Sequence, residues 1–300
     1  MGELLLSDKK GVKTYLVENT KWGNNAIQKV LDVPYPNEQQ IREFLYEFKL
    51  LNILDIDGIR KPAGIDRDGE QKKAFYYYFD GFTIKKLVQS SKNDLALTLN
   101  TGIFLARTLQ ELHEKKVIHR NISANNILYN TKSQEFCLID FTCASTIKEK
   151  KNHLGGIKEL DGELEYISPE QTGRINRKVD HRSDLYSVGV VLYELTTGGL
   201  PVSELSKREI IYSHIAQVPD TPKEQNPSIP ASLSRVIMKL LEKDADNRYQ
   251  SATGLLEDLN KINQEAVTNN FSDFEPGEFD KATTLTLSQK LYGRESELQE

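Results

Sequence analysis

Cysteine is nearly absent from this 300-residue chain: Cys137 and Cys143 are the only two, six residues apart and without a C-x-x-C spacing. Such a pair points to neither a disulfide framework nor a thiolate metal site, and it fits a reducing intracellular compartment. Long apolar runs are missing as well. The most hydrophobic stretch, Leu185 to Leu195, contains Glu194 and falls short of the roughly 18 residues that a membrane span needs. The N-terminus lacks a signal-peptide pattern, and Leu6 stands where N-myristoylation wants Ser or Thr, so the expected location is the cytoplasm. Basic blocks are absent too. The nearest is K-E-K-K, Lys148 to Lys151, and with a net charge of −5 that run reads as a solvated loop, so no nucleic-acid partner is expected. What remains, 38% hydrophobic and 28% charged residues with no internal repeat, is the composition of one large or two medium globular domains.

The chemistry concentrates in two pieces, H-R-N-I-S-A-N-N from His119 to Asn126 and I-D-F-T from Ile139 to Thr142. The amide of Asn126 and the carboxylate of Asp140 can share hard cations that hold the phosphates of a nucleotide. Two short β-runs, Ile127 to Asn130 and Phe136 to Asp140, flank the turn-like T-K-S-Q. They read as a hairpin that brings both groups to one edge of a cleft.

Upstream, Leu4 to Leu6, Thr14 to Val17 and Ala26 to Leu31 are apolar or β-branched runs parted by turn-like segments, which predicts three antiparallel strands. Alternation places Lys29 on the face of Ile27 and Leu31, where a lysine needs a partner. The next element, Asn37 to Leu54, opens with an Asn and a Gln three places on, a capping-box pattern, and carries Phe44, Glu47 and Leu51 at helical spacing. Glu47 therefore points toward the apolar side; Glu43 is the alternative for a rotated helix. Taken alone, Lys29 also reads as a surface lysine and Glu47 as a solvated charge.

The catalytic-loop-like and metal-loop-like pieces resemble the protein kinase family, whose loops read H-R-D-L-x-x-x-N and D-F-G. S-D-L-Y-S-V-G-V, opening at Asp184, and Y-I-S-P-E, closing at Glu170, are similar to later landmarks of that family and stand in the same order, over about residues 8 to 264. The resemblance implies an α+β, two-lobe fold. A small β-rich N-lobe with one helix would occupy residues 1–82, and a larger, mainly helical C-lobe residues 83–264. It further implies ATP with Mg²⁺ as cofactor, ATP binding by Lys29, Glu47, Asn126 and Asp140, and metal binding by Asn126 and Asp140. The segment Tyr77 to Gly81 would lie near the base. His119, Arg120 and Asp184 are expected to be structural, as is an ion pair between Glu170 and Arg248.

Several positions depart from the family pattern. Asn121 stands at the place of the catalytic base, Ser123 where a lysine is usual, Thr142 at the D-F-G glycine, and Gly11 is the single glycine of the S-D-K-K-G turn. The first expectation is thus a pseudokinase, a nucleotide-binding regulatory domain with Asn121 as an impaired catalytic residue. A slow ATP-dependent Ser/Thr protein kinase is the second, and a scaffold that binds no nucleotide the third. Residues 265–289 are polar and lack periodicity, which predicts a linker. Residues 290–300 resemble the opening of the AAA-type ATPase module that follows kinase-like domains in large bacterial multi-domain hybrid sensor kinases; the alternative is a disordered tail. The expected partners are ATP and downstream modules of a longer chain or other signalling proteins, without membrane insertion.

Overall fold

In the computed structural model, residues 2–9, 11–66, 71–90, 94–146, 162–201 and 206–280 are described. The three predicted N-terminal runs form strands β1 (Glu3–Lys9), β2 (Val12–Thr20) and β3 (Gly23–Leu31). Two more, β4 (Pro62–Asp66) and β5 (Lys73–Tyr77), complete a five-stranded antiparallel sheet of order β1-β2-β3-β5-β4. Gly11 turns β1 into β2 at φ +75°, where an added Cβ would lie 2.7 Å from Val33 Cγ2. Register pairs Lys29 with Thr14 on one side and Ala74 on the other.

Helix α1 (Glu38–Ile53) packs beneath this sheet, and the capping box read from the sequence is present: Asn37 accepts from Gln40 N while Gln40 Oε1 accepts from Asn37 N. These two bonds satisfy backbone donors that a helix start leaves open, which sets where the helix begins and so the face that Glu47 occupies. Phe44, Glu47, Leu50 and Leu51 form its buried stripe.

The chain crosses through Tyr78 to Gly81 into β6 (Phe82–Thr83), α2 (Ile84–Ser90) and the long α3 (Leu95–Glu114), N-capped by Asp94. A short strand β7 (Val117–Ile118) precedes the His119 loop, and the predicted hairpin is present as β8 (Ile127–Tyr129) and β9 (Phe136–Leu138), with Ile127 opposite Leu138. Strand β10 (Ser145–Thr146) pairs with β7. Helices α4 (Arg182–Thr197), α5 (Lys207–Ala216), α6 (Pro222–Gln225), α7 (Ala231–Leu240) and α8 (Ala252–Thr268) build the second lobe. Every residue of α4 from Arg182 to Thr196 is buried, and its polar side chains Ser183, Ser187 and Glu194 are hydrogen-bonded there. Gly189 admits α7 there, since a Cβ would lie 2.7 Å from Leu240 Cβ.

The architecture is the expected α+β arrangement, a β-sheet lobe with one helix and a helical lobe. Its C-terminal part differs from the sequence reading in one respect. Helix α8 runs to Thr268, and residues 269–280, within the stretch predicted as linker, lie against the second lobe. Phe271 and Phe274 pack on the core, Gly277 N donates to Asp258 at 2.7 Å, and Asp280 accepts from Ser251 Oγ at 2.6 Å. Two aromatic side chains and a carboxylate bonded to the N-cap residue Ser251 hold a segment whose average composition is polar. Residues 281–300, including the stretch that resembles an ATPase module, lie outside the described residues, as do residues 147–161. No helix among the described residues is long and apolar enough to cross a membrane.

Candidate nucleotide site

Lys29 lies on the inner face of the sheet, and its Nζ is 2.6 Å from Glu47 Oε2 and 3.5 Å from Asp140 Oδ1. The Glu47 side chain is only 2% exposed, and three donors meet it. Besides Lys29, the Tyr76 hydroxyl donates to Oε2 at 3.3 Å and the Phe141 backbone N–H to Oε1 at 3.0 Å. A buried carboxylate without such partners would be strongly unfavourable. Glu43, the alternative, is exposed and accepts from Gln39. Burial pushes the Lys29 ammonium toward its neutral form, but Glu47 and Asp140 outweigh that and raise its pKa above the ordinary value.

Asp140 follows β9 at φ +65°, a left-handed conformation that turns the chain at the metal-loop position. Its Oδ1 accepts from the Thr142 hydroxyl at 2.7 Å and its Oδ2 from Asn121 Nδ2 at 3.0 Å. Burial raises its pKa, yet the Lys29 ammonium and the Thr142 hydroxyl more than compensate, and the carboxyl sits below its usual range. Asn126 donates from Nδ2 to the Asn121 carbonyl at 2.9 Å, which leaves its side-chain oxygen as the atom it can offer a cation.

The loop that carries these groups is fixed from behind. Asp184, fully buried at the start of α4, accepts from the backbone N–H groups of His119 (2.9 Å) and Arg120 (2.8 Å) and lies 3.0 Å from His113 Nε2. Arg120 presents its amide by adopting φ +63°. His119 packs edge-on against Phe141, with 4.4 Å between ring centroids, and accepts from Asn121 N through Nδ1 at 3.2 Å. Burial lowers the pKa of this imidazole, consistent with its acceptor role. Further down, Arg248 and Glu170 form a buried bidentate pair at 2.7 and 2.9 Å, with Ser183 Oγ donating to the same carboxylate at 2.7 Å.

With this arrangement, the comparison that decides the family is a match to the Protein kinase domain over residues 11–259. The chain belongs to the protein kinase family. Among its relatives, a probable serine/threonine-protein kinase of Clostridium perfringens is 30% identical over 230 residues, covering 76% of this chain and 33% of that protein. The serine/threonine-protein kinase PrkC of Bacillus subtilis is 29% identical over 255 residues, 82% of this chain and 37% of the relative. A hybrid signal transduction histidine kinase of Dictyostelium discoideum is 38% identical over 154 residues, 44% of this chain and 4% of that protein. The kinase domain described here thus spans about a third of the length of the bacterial kinases it matches.

Kinases of this family generally use ATP with Mg²⁺. Among the described residues, no group of three or more His, Cys, Asp or Glu side chains is placed to hold a metal. The donor set is one carboxylate, Asp140, and one amide oxygen, Asn126. That set fits Mg²⁺, a cation that keeps several waters and is completed by substrate phosphates. The fit is poorer at two other points. Ser123, fully buried, is too short to act as the usual loop lysine, and among the described residues its Oγ has no hydrogen-bond partner.

Asn121 is the sharpest departure, because both ends of its amide are engaged. Nδ2 donates to Asp140, and Oδ1 accepts from Glu163 N at 3.0 Å. The sequence reading placed Asn121 at the base position but carried no sign of this double engagement, whose partners lie 19 and 42 residues away. Tyr76 and the Phe141 amide were likewise missed; only the register of β5 against β3 brings Tyr76 to the inner face.

Proposed function

We propose that this kinase domain binds Mg·ATP and acts as a pseudokinase, a regulatory or interaction domain in signalling rather than a fast phosphotransferase. One observation carries the reading. Lys29, Glu47 and Asp140 stand assembled as a charged triad while the residue at the base position is an amide bonded at both ends. In this reading Lys29 neutralises phosphate oxygens, Glu47 orients Lys29, and Asn126 and Asp140 hold Mg²⁺, which would supply charge neutralisation across the phosphates. Asn121 cannot accept a proton near neutral pH, a deficit of about 10²–10⁴-fold, or roughly 3–5 kcal/mol, in transfer rate. The relative named as a hybrid signal transduction histidine kinase supports placing the domain within a larger signalling chain, whose downstream modules would be its partners.

A second reading, a slow ATP-dependent Ser/Thr protein kinase, is favoured by the intact Lys29–Glu47 pair and by the serine/threonine kinases among the relatives. Calorimetry with Mg²⁺ and a non-hydrolysable ATP analogue tests what the two readings share. Saturable binding that requires Mg²⁺ and is lost in Lys29→Met and Asp140→Ala is expected. No binding would leave only a scaffold.

A further inference from the structure

The Asn121 amide bridges two parts of the molecule. On one side lies Asp140, whose Oδ2 takes the Nδ2 donor; on the other lies Glu163, where the chain returns from the segment after β10, and whose backbone N–H donates to Oδ1. The return segment is pressed closely onto this loop. Gly162 stands at φ +94°, and a Cβ there would lie 2.9 Å from Arg120 O and 3.3 Å from Asn121 Oδ1. Asn125 Nδ2 donates to Glu163 Oε2 at 2.8 Å, and Gln171 Nε2 to Arg120 O at 2.9 Å. From Glu163 a turn leads on to Tyr166, whose N–H donates to Glu163 O at 2.9 Å and whose hydroxyl reaches Glu194 of α4.

Residue type follows from this geometry. A carboxylate at position 121 could accept from Glu163 N–H, but it has nothing to donate to Asp140 and would set two anionic oxygens about 3 Å apart. A short carboxamide satisfies both neighbours. We propose that Asn121 is a positioning residue that couples the Asp140 carboxylate to the backbone at Glu163, so that a cation engaging Asp140 is read out at residues 162–166. A divalent cation held by Asp140 would disfavour the Asn121 Nδ2 donor beside it, and an Asn121 amide turned away would leave Glu163 N–H without this acceptor. The trigger rests on the Mg·nucleotide reading above; the link itself does not.

Hydrogen exchange at the Glu163 amide in the full chain, resolved by NMR, tests both parts. Without nucleotide, repulsion from Asp140 turns the carboxylate of Asn121→Asp away from Glu163 N–H, so this variant is expected to accelerate exchange about tenfold, the equivalent of one hydrogen bond. Adding Asp140→Asn to it restores a donor–acceptor pair with reversed polarity and is expected to return exchange to within about twofold of wild type. A merely structural role for Asn121 gives no such rescue. A double variant that exchanges as fast as Asn121→Asp, with α4 amides still protected, would overturn the link. With wild type, saturating Mg²⁺ and the ATP analogue are expected to accelerate Glu163 exchange severalfold. Calorimetric binding with no change at Glu163 would overturn the coupling and leave the nucleotide reading standing. Rescue in the double variant with silent calorimetry would uphold the link and remove the nucleotide reading.

Discussion

Truncating Glu47 should be among the most damaging single changes in the sheet lobe, and its cost can be reasoned from its contacts. Glu47→Ala removes the acceptor of the Tyr76 hydroxyl and of the Phe141 N–H, and it leaves Lys29, whose side chain is 12% exposed, with Asp140 at 3.5 Å as its remaining counter-charge. Breaking a buried pair by deleting one partner costs about 3–5 kcal/mol, and an orphaned buried amide accounts for ~1–3 kcal/mol within that sum. For a domain of this size, at ~2–4 °C per kcal/mol, the melting point should fall by roughly 10 °C. Glu47→Gln keeps an acceptor for Phe141 and loses only the charge, so it should fall in between. Urea unfolding of the three proteins, followed by far-UV circular dichroism, measures the difference. If Glu47→Ala lies within about 1 kcal/mol of wild type, the contacts of Glu47 with Lys29, Tyr76 and Phe141 contribute little to stability, and the argument from buried charge fails.

Other consequences follow from the same contacts. Glu170→Ala leaves the Arg248 guanidinium, buried with no more than 1% exposure, without a counter-charge, facing backbone carbonyls and the Tyr186 ring, and should cost about 3–5 kcal/mol by urea unfolding. His214 is held between Tyr186 Oη and the Leu164 carbonyl, each at 3.0 Å, with Lys243 beside Tyr186, and burial pushes its pKa down to about 4. Because the folded pKa lies below the unfolded value of ~6.5, this imidazole favours the fold fully above pH ~6.5. That contribution, on the order of 3 kcal/mol, is lost as pH falls toward 4, and a His214→Gln variant should show a flatter stability profile over that window. Asp280→Ala removes the carboxylate that Ser251 Oγ and Gln250 N share at the start of α8, and should cost about 1–2 kcal/mol and speed proteolysis after Thr268.

The sheet lobe was legible in the sequence because its rules are local. Alternation around Lys29 and the Asn37/Gln40 cap are short-range patterns, and together they orient two side chains that meet across 18 residues. The hairpin carrying Asn126 and Asp140 was legible for the same reason. What local pattern could not supply was register and long-range approach. Tyr76 reaches Glu47 only through the pairing of β5 with β3, and the Asn121 amide finds its two partners only once the chain has returned to Gly162. The tail from residue 269 misled by its average polarity, since Phe271 and Phe274, three residues apart in a polar stretch, pack on the core and the Gly277 and Asp280 bonds add to their hold. Asn121 itself was recognised from sequence as a changed base; that it is a two-ended connector required the geometry.

The central claim, a built nucleotide site without a working base, is tested most directly by labelled-phosphate transfer from Mg·ATP to the chain itself and to a generic acceptor protein, run beside Asp140→Ala. The account predicts no transfer by wild type above the Asp140→Ala background under conditions where the nucleotide is bound. Wild-type transfer that Asp140→Ala abolishes would contradict it and make this domain a slow kinase.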